Sequence, residues 1–202
     1  MRTAAAAGLA VAAGLLCVGG CGSASSVSSQ RLPPDAIPIP SGRGPAYRLP
    51  AIPRAVATGA SISGLRCMRD LGSRFAVHLE LYARRLVLPV PAGIGIAPPQ
   101  RRHGAYVLGG RCYYALVTFE PTGVVLVDRR RPLTLRALFA VWGQQLSDRG
   151  LAGFTGRVHA FLDGARWPGR PEAMPLRYHA EIVLEVGGVV PPHRTYAFPP
   201  GL

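Results

Sequence analysis

The stretch Phe75-Ala76-Val77-His78-Leu79-Glu80-Leu81-Tyr82 sets Phe75, Val77, Leu79 and Leu81 in alternation with Ala76, His78, Glu80 and Tyr82. A period of two sends successive side chains to opposite faces of an extended backbone, so the stretch predicts a half-buried β-strand. The rest of the fold is read outward from it. Residues 86–90 can pair back across Ala83-Arg84-Arg85. Residues 113–119 and 124–128 form a second pair around Glu120-Pro121-Thr122-Gly123, with Pro and Gly placed as a type I turn prefers. Residues 157–162 read as a strand, Asp163-Gly164 is a hairpin turn signal, and residues 180–186 alternate again before Gly187-Gly188 ends them.

One helix stands among these strands. Thr134 is the expected N-cap, and Leu135, Leu138, Phe139, Trp142 and Leu146 follow at offsets of three and four, which puts them on one face. Arg136, Gln144 and Gln145 occupy the other side. The expectation is an α+β fold: a single small domain in which a mixed, curled sheet of about six strands is covered by one packed helix, in the manner of a β-grasp.

The chain of 202 residues divides by composition into four parts. Residues 1–20 read as a lipoprotein signal peptide, 21–58 as a Ser/Pro/Gly-rich tether, 59–190 as the α+β domain and 191–202 as a Pro-rich tail. Met1 and Arg2 open the leader with positive charge, and the uncharged run that follows, residues 4–18, is shorter than the roughly 20 residues a spanning helix needs. Val18-Gly19-Gly20-Cys21 resembles the lipobox of bacterial lipoproteins, whose cysteine receives diacylglycerol. Cys17, after Leu15 and Leu16, is the weaker candidate. The implied location is the outer face of a cell membrane, held by lipid on Cys21.

The formal charge of +13 comes from arginine alone, because none of the 23 basic residues is lysine. A GC-rich genome produces this bias without any partner. The alternative is attraction to anionic lipid head groups or acidic wall polymers, each nearby arginine contributing about 1 kcal/mol. Nucleic acid is a poor partner for an exported chain with no recognition motif.

Cys67 and Cys112 are the two cysteines of the exported body, and an even pair in an oxidising compartment predicts a disulfide. The five histidines, His78, His103, His159, His179 and His193, form no HxH, HxxxH or HExxH pattern. His78 and His179 fall on expected strands, sharing faces with Glu80 and Glu181, so neighbouring strands can gather these four; of them His78 and His179 are the candidate metal residues. Asp128 reads as a strand end followed by a solvated run, Arg129-Arg130-Arg131. No Gly-flanked nucleophile elbow and no phosphate loop is present, and no cofactor is expected.

Residues 88–99 (LPVPAGIGIAPP), 112–128 (CYYALVTFEPTGVVLVD), 133–147 (LTLRALFAVWGQQLS) and 178–187 (YHAEIVLEVG) resemble an uncharacterised prokaryotic domain family, often exported. In that family the middle stretch carries His-Thr-His-Asp and then a strand with a further histidine, a set suited to a transition metal, before an LGQFFDVWGQ-like helix. Here those places read Val117-Thr118-Phe119-Glu120 and Leu126, which cannot coordinate as imidazoles do. The resemblance implies a retained scaffold in which His78 and His179 alone persist. The functional expectation is a non-enzymatic, lipid-anchored envelope module that binds another envelope component or has a structural role. The alternative is a copper- or zinc-handling domain built on His78 and His179. A wall-polymer hydrolase would have to use Glu80 or Glu181.

Overall fold

The structure, a computed structural model, describes residues 51–202 together with the backbone of Ala36–Ile37. The leader, Cys17, Cys21 and the rest of the expected tether up to residue 50 lie outside the described residues. In chain order the main elements are α1 (Arg54–Thr58), β1 (Arg74–Ala83), β2 (Leu86–Leu88), β3 (Leu116–Val117), β4 (Val124–Asp128), α2 (Leu135–Trp142), β5 (Val158–Leu162), β6 (Ala165–Arg166) and β7 (Glu181–Val186). Among the described residues the principal sheet runs β6-β5-β7-β1-β4-β3, with β2 paired to the far end of β1. It is a mixed, open sheet in an α+β domain.

β1 organises this sheet because it is long enough to take three partners. Its first half pairs antiparallel with β4, from Arg74 opposite Asp128 to His78 opposite Val124. Its second half pairs with β2 on the same side, from Leu81 opposite Leu88 to Ala83 opposite Leu86. On the other side β7 runs parallel, from Glu181 opposite His78 to Val186 opposite Ala83, and β5 then lies antiparallel to β7. The first and last long strands therefore meet at the centre of the sheet. Two of the three turns anticipated from sequence form with paired left-handed residues: Arg84 and Arg85 have φ of 52° and 67°, and Asp163 and Gly164 have φ of 52° and 77°. Two successive left-handed residues give the turn twist that matches a right-twisted strand pair.

The odd positions of β1, Val77, Leu79 and Leu81, pack into the main core with Val125, Ile182 and Leu184 beneath α2. From α2 come Leu135, Leu138, Phe139 and Trp142, all buried, with the Phe139 and Trp142 rings 5.4 Å apart. Truncating a fully buried leucine such as Leu138 costs on the order of 2–5 kcal/mol at such positions. The opposite face is covered too. Ala76 and Val124 pack with Tyr196, Leu126 and Phe198, so every residue from 76 to 81 is buried and β1 is not the half-exposed strand that its alternation suggests.

The C-terminal segment supplies that second cover. Residues 191–202 are not a free Pro-rich extension, since Tyr196 is buried against the sheet and Thr195–Tyr196 pairs in parallel with Ala36–Ile37. The body also begins before residue 59. Val56 of α1 is 1% exposed within the core, and the Tyr114 hydroxyl donates to the Ala55 carbonyl at 3.0 Å. α2 ends at Trp142 because Gly143 turns left-handed (φ 72°), so Leu146 leaves the helical face. It joins Leu146–Ser147, the edge of a small sheet with Gly150–Leu151 and Phe154–Thr155. Thr134 does precede the helix with extended backbone, but its side chain makes no capping bond. Of residues 113–119 only β3 pairs with β4, because Tyr113 instead bridges Met68 and Ile96. A hairpin of Arg101–His103 and Tyr106–Gly109, not anticipated from sequence, lies nearby, its first strand exposed and Val107 of its second buried.

Cys67 and Cys112 form the expected disulfide, with Cα atoms 5.5 Å apart. It closes a separation of 45 residues and ties the segment before β1 to the segment before β3. In the chain-entropy treatment such a loop contributes about 4 kcal/mol. Reduction, or replacement of both cysteines by serine, is expected to lower the free energy of unfolding in urea by about that amount; an unchanged midpoint would contradict this role.

Candidate functional site

The second face of the β1–β7 pair carries polar residues where water is excluded. In parallel register Glu181 faces His78, Val183 faces Glu80 and Glu185 faces Tyr82, so His78, Glu80 and Tyr82 share a face with Glu181 and Glu185. His78 and Glu181 are 0% exposed and Glu80 is 4% exposed. One coordinating atom from each of these three residues lies within 4.8 Å of the others.

Hydrogen bonds fix the proton positions. His78 Nε2 lies 2.9 Å from the Thr122 carbonyl, which can only accept, so Nε2 carries the hydrogen. Nδ1 lies 2.7 Å from Glu181 Oε2. In a neutral ring Nδ1 is then an acceptor, and the Glu181 carboxyl must donate to it. Burial acts in the same direction on both partners: it pushes the His78 imidazolium down and the Glu181 carboxyl up, and the nearby Glu80 raises Glu181 further. Both directions favour one proton shared between two uncharged groups, an arrangement that avoids burying two charges.

Glu80 Oε2 accepts from His193 Nδ1 at 2.8 Å and from the Tyr82 hydroxyl at 3.2 Å. Burial, reinforced by the Glu80 carboxylate, raises the Tyr82 phenol above its ordinary range and keeps it a donor. The Tyr196 ring stacks on the His78 ring at 3.8 Å and 9°, which closes the site from the C-terminal segment. Gly123 (φ 89°) lets the turn that carries Thr122 lie against β1 and the His78 ring, because a Cβ there would stand 2.6 Å from the Leu79 carbonyl and 2.9 Å from His78 Nε2. Glu181 Oε1 and Glu185 Oε2 are buried with no hydrogen-bond partner among the described residues, although the other Glu185 oxygen accepts from Val190 N.

The structure thus unites His78, Glu80 and Glu181 as the sequence allowed, but not His179. That residue precedes β7 in left-handed conformation (φ 57°), so the alternation that would align it with Glu181 is broken. Its Nε2 donates to the Leu202 carbonyl at 2.6 Å, and its ring stacks between Tyr178 and Phe198. His193 takes its place from the segment after β7, where no local spacing announces it. His103 lies on the exposed strand of the hairpin, while His159 on β5 stands opposite Glu185. At the positions compared with His-Thr-His-Asp, Thr118 is buried and ties the loop before it, accepting from Ile94 N and donating to the Pro91 carbonyl. Asp128 is not a mere strand end: it is buried and accepts from Arg130 N, Nε and Nη2, and those bonds hold its carboxyl below the usual range.

No family model matches the chain, nor does any curated protein or solved structure. The chemistry of the cluster therefore rests on its own geometry, and the shared proton has a measurable consequence. Above the ordinary carboxylate value of 4.5 the unfolded chain releases a proton that folded Glu181 keeps, so this group makes stability fall as pH rises. His78 acts oppositely up to the ordinary imidazole value of 6.5, because the unfolded ring binds a proton that the buried ring refuses. The two slopes oppose each other below 6.5, and above it that of Glu181 stands alone. In urea titrations of metal-free protein between about pH 7 and pH 9, the wild type is expected to lose stability from this group, on the order of 1 kcal/mol per pH unit. Glu181→Gln, whose amide can donate to Nδ1 as the protonated carboxyl does, is expected to remove that slope. Equal slopes in the two proteins would show that Glu181 is already ionised.

Proposed function

We propose that the chain is an exported module, held by lipid on Cys21 at the outer face of the cell membrane, that works by binding and not by catalysis. The observation that carries the export part is the Cys67–Cys112 disulfide, because such bonds persist in oxidising compartments and are uncommon in reducing ones. It joins two features of the sequence, the uncharged leader and the Val18-Gly19-Gly20-Cys21 motif. Among the described residues no helix is long and apolar enough to cross a membrane.

Binding is preferred because the sequence offers no nucleophile elbow and no phosphate loop. Exposed arginines favour an anionic neighbour, either lipid head groups or acidic wall polymers, with an attraction that weakens as salt rises. A scaffold of the resembled family that has exchanged its histidines for Val117, Phe119 and Leu126 fits the same reading.

Mass spectrometry of the mature protein from its native membrane tests the anchor. The expected N-terminus is Cys21 bearing diacylglycerol, and Cys21→Ser is expected to accumulate as unprocessed precursor. A chain that still begins at Met1, or an unmodified thiol at Cys21, would overturn the assignment.

A further inference from the structure

Among the described residues five acidic side chains are buried: Glu80, Asp128, Glu172, Glu181 and Glu185. In a chain with 23 arginines, guanidinium groups are the available counter-ions, and two of the five use them. Asp128 is bound by Arg130, and Glu172 by Arg170 with Arg136 at 3.6 Å. The three on the second face of the sheet, Glu80, Glu181 and Glu185, have no arginine partner among the described ion pairs. Glu80 and Glu181 have only histidines, His193 and His78. Buried carboxylates that gather without a permanent cation, beside imidazoles, fit a site that receives its cation from solution.

We propose that His78 Nδ1, Glu80 and Glu181 form a binding site for one divalent transition-metal ion of the zinc class, with His193 orienting the Glu80 carboxylate. The proposal goes beyond the envelope reading and does not depend on it.

Four features support the assignment. First, the coordinating atoms of the three residues already lie within 4.8 Å of one another, and zinc draws such atoms to about 2.0–2.2 Å from itself. Second, Glu181 Oε1 is buried without a hydrogen-bond partner among the described residues, leaving an acceptor in the cluster unspent. Third, metal-binding histidines characteristically donate their other ring N–H to a carbonyl or carboxylate, and the Thr122 carbonyl takes that hydrogen from His78 Nε2. This leaves the Nδ1 lone pair directed at Glu181. Fourth, two carboxylates and one neutral imidazole cancel the charge of a divalent ion, and the N/O donor set suits zinc. Cuprous copper would favour thiolate or thioether, and Cys67 and Cys112 are spent in their disulfide.

Binding exchanges one cation for one proton. The hydrogen that Glu181 donates to Nδ1 leaves to solvent, the Nδ1···Oε2 hydrogen bond is replaced by two metal–ligand bonds, and no electron moves. His193, whose side chain is 42% exposed, stands at the entrance and keeps its bond to Glu80. Its three ligands are among the residues that strand parity brings together, while His193 stands in as the positioning residue and His179 lies outside the site.

The test uses the full chain with its disulfide intact, treated with chelator, dialysed and titrated with zinc chloride by calorimetry. One ion per chain is expected, with a proton release visible as a buffer-dependent heat. Glu181→Gln preserves the donor to His78 and is expected to remain folded by circular dichroism while losing at least about 100-fold in affinity. His193→Ala, at the exposed rim, is expected to lose about 10- to 100-fold, the range for groups that orient metal ligands. His179→Ala is expected to bind as the wild type does. Absence of stoichiometric zinc uptake by the wild type overturns the proposal. So does unchanged affinity in folded Glu181→Gln, which would place the ion on other surface groups.

Discussion

The parallel register that sets Glu181 against His78 governs the rest of the molecule. It aligns the apolar positions of β1 and β7 on the face packed beneath α2 and sends their polar positions together to the other face. Had that face met water, the polar positions would need no explanation. It is covered by the segment bearing Tyr196 and Phe198, so each group there must find a partner inside the protein. The Thr122 carbonyl, the side-chain-free Gly123 and the rim imidazole of His193 all answer that demand.

Two solutions to carboxylate burial coexist in this small domain. Arg130 wraps Asp128 with backbone and side-chain donors while its own side chain stays 61% exposed. Half in water, that guanidinium keeps most of its hydration, and the pairing costs little desolvation. No such route reaches Glu181, which sits between two strands at the sheet centre. Burial and the neighbouring Glu80 push its carboxyl upward, which favours a proton where the other sites use a cation.

Local signals in the chain were enough to read most of the sheet. Alternation marked β1 and the strand ending at Val186, Asp163-Gly164 marked a turn, and the spacing of Leu135, Leu138, Phe139 and Trp142 marked the helix. Each of these features depends on neighbours within a few residues. The features that alternation and spacing do not carry come from distant partners or from single left-handed residues. Alternation in residues 75–82 suggests one wet face, but nothing nearby reveals that Tyr196 will cover it. Gly143 was the visible stop signal for α2, yet Leu146 prolonged the periodicity past it by coincidence. At the site, His78, Glu80 and Glu181 could be nominated from strand parity alone. His179 satisfied the same parity and was lost to one left-handed residue, while His193 comes from an irregular segment without periodicity to read.

The central pairing also dictates the order in which the molecule can be assembled. His78 and Glu181 are 103 residues apart, so a chain emerging from its N-terminus presents β1 long before β7 exists. Until then β1 can rest only on its nearer antiparallel neighbours, β2 and β4, with its other edge unpaired. Closing so wide a loop brings a large entropic cost before any long-range contact compensates it. The sheet's interior is therefore the last region to be sealed, and a stalled or partly emerged chain would expose the open strand edge most prone to pairing with a stranger.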